Sequence, residues 1–427
     1  MTAIETSAKS GARTALALLL GINLFNYIDR YVLAAVEPNI RVAFFLPSDP
    51  HAMWWTGTLA WAFLVTYTVS APALGFLADR FSRWLIVGVC VILWSFATAA
   101  SGFAATFAAL FATRIFVGIG EGGYGPAAPT ILADYFPLQT RGRIMAIFCA
   151  AIPVGSALGY VLGGIINHHF GWRWAFFLVA IPGVILGLAC LRQRDPRARG
   201  AVREERRATR REDYLTLLHT RSFVYNCVAQ TAMTFALGGM AFWMSAYLIF
   251  RNQPPELATP IFGGITVVAG LLSTLLGGFA ADRLQKRFSG SYFLVSGIGM
   301  LLAFPLLVAM LYTPFPLAWV LLFGAVFFVF LNTGPSNAAL ANVAAPKIRA
   351  TAFAFNILII HVLGDAISPP LLGAVAGHFR TKSGSPDMNL AFLVISGAML
   401  VSGVVWLLGM KYLEDDTAEV ESQPVAL

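Results

Sequence analysis

Twelve runs of predominantly apolar residues follow one another along this 427-residue chain. Each is close to the length of about 20 residues that a helix needs to cross the hydrocarbon of a bilayer. They lie near 14–40, 54–77, 84–101, 107–131, 144–166, 174–191, 223–250, 260–281, 291–312, 317–342, 351–376 and 390–412. No strand-like alternation competes with them. Charged residues make up only 12% of the chain, against about 25% in a soluble domain. The expectation is an all-α polytopic membrane protein with 12 transmembrane helices, because a helix bonds its own backbone where no water is present.

The first twelve residues are polar, and the apolar run after them is too long and lacks a cleavage pattern, so it reads as an uncleaved first helix. Cys90, Cys149, Cys190 and Cys227 all fall within expected helices and suggest neither a disulfide frame nor a metal site. Of the 29 Lys and Arg, Arg41, Arg173, Arg251, Arg380 and Lys382 fall in one set of loops, while Arg30 and Arg114 fall inside helices. The other 22 fall in the tails and the opposite loops. Lys and Arg mark the cytoplasmic side, so both termini are expected in the cytoplasm. The net charge of +8 then reflects topology, and no nucleic-acid partner is expected.

Residues 192–221 break the apolar pattern with ten arginines mixed with Glu204, Glu205, Glu212 and Asp213. They read as a solvated basic linker at the leaflet surface, attracted to anionic lipid headgroups, between a half at 1–191 and a half at 222–427. The halves echo each other. GFLADR at 75–80 returns as GFAADR at 278–283, and Gly125-Pro126 with Pro137 returns as Gly334-Pro335 with Pro346. Parallel repeats of six helices are a transporter architecture. The loop GFLADRFSR (75–83) resembles the signature loop of the major facilitator superfamily. Gly75 would let two helices approach, and Asp79 would accept from helix N-terminal amides and pair with a nearby Arg. Gly75, Asp79, Arg80 and Arg83, with Asp282 and Arg283 in the repeat, are thus candidates for a cytoplasmic gate, Asp79 and Arg80 being otherwise simply helix caps. Gly155, Gly159 and Gly163 at four-residue spacing, after Pro153, predict close helix contact.

Ionisable residues in the apolar runs carry the functional argument. A charge at bilayer depth costs about 2.5–3.5 kcal/mol or more, so such residues face a protein interior or a water-filled cavity. In the first helix Asn23, Asn26, Tyr27 and Arg30 share one stripe. Asp29 points about 100° away from Arg30. In the fourth helix Arg114 and Glu121 are two turns apart on one face. The resemblance to the superfamily implies that helices 1 and 4 line one cavity, and Asp29 would then pair with Arg114 and leave Glu121 free to take up and release a proton, the alternative being a permanent pair that only fixes packing. His361 and Asp365 stand at i, i+4, either titrating together or forming a satisfied pair at the helix break before Pro369 and Pro370. Asn332, Asn337 and Asn356 line a cavity or bond between helices. Tyr160 is a further cavity candidate.

At NYIDRY (26–31), GEGGYGPAAPTILADYF (120–136), IPVGSALGY (152–160) and HVLGDAISP (361–369) the chain resembles a bacterial member of the spinster-like family of the major facilitator superfamily. The resemblance runs through both halves. It implies proton-coupled movement of lysolipids, either sphingosine-1-phosphate or lysophospholipids. Asp29, Arg114 and Glu121 match the family's central charged set, Arg30 and Arg114 would take the headgroup phosphate, and Tyr160 and His361 would line the same cavity. The candidate assignment is proton coupling at Asp29, Glu121, His361 and Asp365, and substrate contact at Arg30, Arg114, Tyr160, Asn26, Tyr27 and Asn356. Helix 4 reads GEGGYGP where eukaryotic relatives more often carry serine or alanine after the glutamate, which leaves cavity width open.

The leading function is therefore a proton-coupled secondary transporter of lipid-like amphiphiles, in the bacterial inner membrane, with alternating access. The alternatives are a symporter of small organic anions such as hexuronates, and an uncoupled lipid scramblase or channel. No nucleophile-and-base arrangement and no GxxxxGK[ST] loop is readable, so neither an enzyme nor an ATP-driven pump is expected. No cofactor or metal is expected. The partners expected are the substrate, protons and membrane lipids, and the chain is expected to be a monomer.

Overall fold

The computed structural model of the chain describes residues 11–136, 138–196, 211–345, 348–381 and 384–422. Linker residues 197–210, Pro137, Pro346 and Lys382 lie outside the described residues. Among the described residues every regular element is a helix, and Arg380 with Pro386 forms a single isolated bridge. Among the described residues eleven helical segments are long and apolar enough to cross a membrane. The segment expected at 107–131 is divided into two helices of 16 and 12 residues, and about 20 are needed to span.

By packing, the chain divides into two compact units, Met1–Glu204 with Met244–Gly264 and Glu205–Trp243 with Ile265–Leu427. The first unit contains α1 (Ala12–Phe44), α2 (Ala52–Arg80), α3 (Arg83–Gly102), α4 (Phe107–Gly122), α5 (Tyr124–Tyr135), α6 (Leu138–Phe170) and α7 (Trp172–Leu191). Ser82 and Thr106 cap α3 and α4 by accepting from the amides of Leu85 and Ala109. α1 packs along α6, α2 along α4, and α3 against both α4 and α7. Lipid tails are as apolar as leucine, so what holds these helices is close packing at small residues and bonds between buried polar groups. The glycine ladder of α6 supplies the first. A Cβ at Gly155 would lie 2.7 Å from the Leu24 carbonyl oxygen, one at Gly159 2.7 Å from Tyr31 Cβ, and one at Gly163 2.7 Å from Ala35 Cβ. An example of the second lies within the apolar core formed around Leu19, Trp84, Val91, Trp94 and Ile131. Within it the Tyr124 hydroxyl donates to the Leu19 carbonyl at 2.6 Å.

The second unit contains α8 (Arg211–His219), most of α9 (Arg221–Phe250) and α10 (Pro255–Gln285), α11 (Ser291–Tyr312), α12 (Leu317–Phe330), α13 (Thr333–Val343), α14 (Arg349–Ile360), α15 (Ser368–His378), α16 (Met388–Gly409) and α17 (Leu413–Ser422). α11 packs against α12 and α16. Trp406 in α16 donates its indole N–H to Asn226 Oδ1 at 3.0 Å, and Ser402 donates to the Ala229 carbonyl at 2.7 Å, joining α16 to α9. The repeat read in the sequence has a structural counterpart. The fourth helix breaks at Gly123 just before Gly125-Pro126, and its echo breaks between Phe330 and Thr333 just before Gly334-Pro335.

Candidate functional site: charged pairs inside the helices

α1 presents two charges in different directions, as its rotation requires. Asp29 turns toward α3 and α4. Its Oδ2 accepts from Thr98 Oγ1 at 2.6 Å, and its Oδ1 lies 3.8 Å from Arg114 Nη1. Arg114 also donates to Ser101 Oγ and stacks over Phe176. Both side chains of this pair are at most 2% exposed. The 3.8 Å separation is an ion pair without a hydrogen bond, and Asp29 Oδ1 and Arg114 Nε have no bonding partner. The expected pairing of Asp29 with Arg114 is therefore present.

Glu121 is not free, which corrects the expectation. Arg30 donates to Glu121 Oε2 through Nε at 2.8 Å and approaches it through Nη2 at 2.7 Å. The reason is the 100° between Asp29 and Arg30. Once Asp29 faces Arg114, Arg30 is swung toward the far end of the same α4 face. The glutamate is fully buried and the arginine side chain is 20% exposed, so the pair has one dry end and one wet end. Tyr27, half-buried, lies against the Arg30 guanidinium, while Asn26 is buried beside Glu121. Asn23, on the same stripe, donates to the Phe148 carbonyl at 2.9 Å.

The glycines around Glu121 explain how four helices close on it. A Cβ at Gly118 or Gly122 would overlap Thr66 or Ser70 of α2, and one at Gly120 would lie 2.7 Å from Trp94 Cβ of α3. The GEGG sequence therefore does not widen a cavity. Its missing side chains are filled by the neighbouring helices.

Two further proposed substrate residues, like Asn26 and Arg114, are buried. Tyr160 has no exposed surface and sits edge-on between the rings of Tyr31 and Phe262, centroids 5.1 and 4.9 Å away. Asn356 is buried in the second unit. It donates to Gln230 Oε1 at 2.6 Å and accepts from Cys227 Sγ at 3.1 Å, tying α14 to α9. A polar atom in a membrane helix is as well satisfied by a neighbouring helix as by a cavity, and here the helix is what it meets. Asn332 is likewise buried and donates to the Val329 carbonyl, whereas Asn337 is exposed.

His361 and Asp365 do share a face. His361 Nδ1 lies 3.1 and 3.0 Å from the two carboxylate oxygens, with 27% and 18% of the side chains exposed. They bracket a π-helical turn, His361–Asp365, in which the Ala366 amide donates to the His361 carbonyl at 3.1 Å. Such bulges recur at functional sites. Gly238 of α9 makes room for it, since a Cβ there would overlap Asp365 Cβ.

At the loop after α2, Arg83 is the organising residue. Its side chain is 6% exposed. Nη2 lies 2.6 Å from Asp134 Oδ2 of α5 and 2.7 Å from Asp195 Oδ1 beyond α7, and its backbone N–H donates to Asp195 Oδ2 at 2.8 Å. Arg80 is exposed and stacks on Phe76 at 3.9 Å. A Cβ on Gly75 would meet Pro126 at 3.5 Å, an ordinary contact, so close approach is not what this glycine supplies. In the repeat, Asp282 Oδ1 accepts from Tyr292 at 3.2 Å and Arg283 is exposed.

Two features escaped the sequence reading. Glu37 has no exposed surface, accepts from Thr56 at 2.7 Å and from Arg41 Nε at 3.1 Å, and keeps Oε2 without a partner. Its i, i+4 arginine looked like an ordinary loop residue, but α1 continues to Phe44. The second feature is the pair of α2 rings, Phe63 and Tyr67, that join Tyr27 around Arg30.

The family model of the Major Facilitator Superfamily matches residues 19–369. Protein spinster of Drosophila melanogaster is 35% identical over 374 residues, 84% of this chain, and the chain spans 61% of that protein's length. The sphingosine-1-phosphate transporter SPNS2 of Xenopus tropicalis is 31% identical over 418 residues, 93% of this chain and 80% of its own. Among solved structures, a bacterial homolog to the human lysosomal transporter Spinster, inward-facing and unoccupied, superposes with a TM-score of 0.80 at 22% identity. It covers 98% of this chain and 100% of that one, a likeness of fold. Broken helices, buried charge pairs and kinship therefore converge: the chain belongs to the Major Facilitator Superfamily and is a spinster-like membrane transporter within it.

Proposed function

We propose that the chain is a proton-coupled secondary transporter of lysolipid-type amphiphiles, lysophospholipids or sphingosine-1-phosphate, working by alternating access. In this reading it lies in a bacterial inner membrane as a monomer of two six-helix halves, 1–191 and 222–427, with both termini and the basic linker in the cytoplasm. The observation that carries the reading is the Arg30–Glu121 pair, with its buried carboxylate and part-exposed guanidinium. A proton on Glu121 removes the charge that holds Arg30, and the released guanidinium offers a planar fork to a phosphate. Asp29 and Arg114 form the fixed partner pair. His361 and Asp365, which share a face with Nδ1 3.0 Å from Oδ2, are the second place for the coupled proton in this reading. The name of the Xenopus relative, a sphingosine-1-phosphate transporter, supports the substrate class. The loop residues Asp79, Arg80, Arg83, Asp282 and Arg283 serve the cytoplasmic gate.

A small organic anion such as a hexuronate would use the same part-exposed Arg30 but would have no need of an apolar path for a tail. The test is uptake of labelled lysophospholipid into proteoliposomes with and without an imposed pH gradient. Gradient-dependent uptake is the expected result. No uptake under either condition, with hexuronate taken up instead, would overturn the lipid assignment. Lipid uptake indifferent to the gradient would overturn the coupling.

A further inference from the structure

A cavity in the second unit lies apart from the charged pairs. It encloses about 570 Å³ between α8, α9, α14 and α16, within the roughly 300–1,000 Å³ of pockets that take a small molecule. α9 supplies one long wall. Val224, Val228, Thr231 and Phe235 fall on a single helix face, a stripe of about 16 Å at the helical rise. Ile359 and Leu363 form another wall, and Ala398 and Val401 of α16 a third. Ile359 and Leu363 stand on the side of the π-helical turn facing away from His361 and Asp365, since two residues make about half a turn of helix. The cavity therefore backs onto the polar pair without sharing its face. Leu218, Val228, Leu363 and Val401 are exposed at its rim, and around an apolar rim in a membrane protein lie lipid tails.

The interior has nothing left to offer a polar ligand. The Thr231 hydroxyl donates to the Cys227 carbonyl at 2.7 Å, and Cys227 Sγ donates to Asn356 at 3.1 Å. The other lining side chains are apolar. One end is different. Arg221 stands one turn before Val224 on the same stripe. Its guanidinium lies 5.0 Å from the Tyr412 ring centroid, and the Lys411 ammonium lies 4.9 Å from the same ring. Tyr412 follows Val401 along one face by about three helical turns, so the α9 wall and the α16 wall both end at these two cations. The nearby acids of α17 are turned elsewhere or out to solvent. Asp416 accepts from the Ser222 amide and hydroxyl, Glu414 accepts from Ser289, and Asp415 is exposed. An apolar slot that ends in two cations is complementary to a hydrocarbon tail joined to a phosphate.

We propose that this groove binds one diacyl phospholipid of the surrounding bilayer. An acyl chain lies along the α9 stripe, and the phosphodiester sits on Arg221 and Lys411. Stacking on Tyr412 uses the face of the guanidinium and leaves its N–H groups, which suit phosphate oxygens. This lipid is a resident of the fold and not cargo, and none of the residues that hold it is a substrate residue of the transport reading. Helices in lipid are held by close packing, with no water to exclude between them, so an acyl chain in the groove acts as a further packing element. Its contacts with Ile359 and Leu363 brace the turn that carries His361 and Asp365.

The experiment is native mass spectrometry of the purified full-length chain. It is incubated with palmitoyl-oleoyl phosphatidylglycerol or with palmitoyl-oleoyl glycerol, which has the same chains and no phosphate. A single phosphatidylglycerol is expected to stay bound, roughly five- to tenfold more tightly than the diacylglycerol, as one charge-assisted contact at a part-exposed site provides. Arg221→Gln combined with Lys411→Gln is expected to bring the two lipids level. Ala398→Trp, which puts an indole into the groove, is expected to lose the bound lipid. In the wild type, phosphatidylglycerol is also expected to slow hydrogen exchange over residues 359–366 several-fold. Equal retention of the two lipids by the wild type overturns the proposal. So does a preference that the double variant leaves unchanged, or an Ala398→Trp chain that retains lipid like the wild type. The double variant changes only exposed positions and decides the question if Ala398→Trp does not fold. Unchanged exchange with lipid bound overturns the bracing of the turn. Mass tells a diacyl lipid from a lysolipid, so failure of lysolipid transport would leave this result standing.

Discussion

Arg30 and Glu121, 91 residues apart in the chain, meet at 2.7 Å with the acid dry and the base part-exposed. In such a pair a proton and an anion help each other. A proton on Glu121 releases Arg30, and an anion held by Arg30 leaves Glu121 without its counter-charge and readier to take a proton. By linkage the two effects are equal. The sign follows for a head that carries one fixed negative charge. The affinity for lysophosphatidylglycerol, whose phosphodiester keeps that single charge throughout, rises as pH falls and declines as pH rises. Glu121→Gln mimics the protonated acid, so its affinity should be flat over the range in which that of the wild type varies. Gradient-driven uptake should be lost while binding persists. Binding isotherms across that range check this, and a wild-type slope in Glu121→Gln would remove the glutamate from the coupling.

The Asp29–Arg114 pair makes a different prediction because neither member reaches solvent. Removing one partner leaves a buried charge uncompensated, at a cost of about 3–5 kcal/mol. Asp29→Leu and Arg114→Leu should each destabilise by about that much. The double variant should be less destabilised than the sum of the two. A double-mutant cycle on unfolding in detergent measures the coupling. Strict additivity would mean that Thr98 and Ser101, rather than the opposite charge, satisfy each residue.

How much of this was legible in the sequence depended on what the pattern encodes. Apolar runs encode depth, so eleven of the spans and most of the charges inside them could be read directly, Glu37 near the end of the first run being the exception. The pairing of Asp29 with Arg114 followed from depth, the rotation of one helix and the superfamily resemblance that sets helices 1 and 4 side by side. The Arg30–Glu121 bond did not, because it depends on how α1 and α4 are turned toward each other, and no spacing within either helix carries that. Phe63 and Tyr67 were hidden for another reason. Aromatic residues are abundant in membrane helices, and only the cation between them marks these two. The packing of Tyr160 and Asn356 was not legible, because a polar atom states that it needs a partner without stating whether the partner is water or a neighbouring helix. The glycines of α6 were legible because a four-residue small-residue period has one common use.

That period gives a graded prediction. A side chain at Gly159 would meet Tyr31 Cβ at 2.7 Å and the Ile28 carbonyl oxygen at 2.8 Å. Neither can yield without moving α1. Gly159→Ala should therefore cost about 1–3 kcal/mol, the usual price of overpacking. It should also weaken ligand binding, since α1 carries Tyr27 and Arg30. Gly264→Ala is the control, because nothing lies within 4 Å of its Cβ, and it should be neutral or slightly favourable by helix propensity. Thermal unfolding and binding measured on both variants test the ladder. Equal behaviour of the two would contradict it.

Arg83 closes the argument at the loop after α2. It joins the start of α3 to Asp134 and Asp195, but the two acids are not equivalent. Asp195 is 14% exposed and accepts from both the backbone and the guanidinium, while Asp134 is 37% exposed and accepts from the guanidinium alone. Solvent screens the more exposed contact, and surface ion pairs contribute about 0–1 kcal/mol. Hydrogen bonds to a charged group in a shielded site contribute about 1.5–3 kcal/mol. Asp195→Asn should therefore destabilise clearly more than Asp134→Asn. If the cluster is only a cap for α3, the loss of stability in Asp195→Asn will come with an unchanged transport rate per folded molecule. If it latches the cytoplasmic side, that rate will change as well, with headgroup affinity untouched because Arg30 and its rings are on other contacts. We expect the second result, since an arginine that holds two acids from separate segments must release at least one for those segments to part.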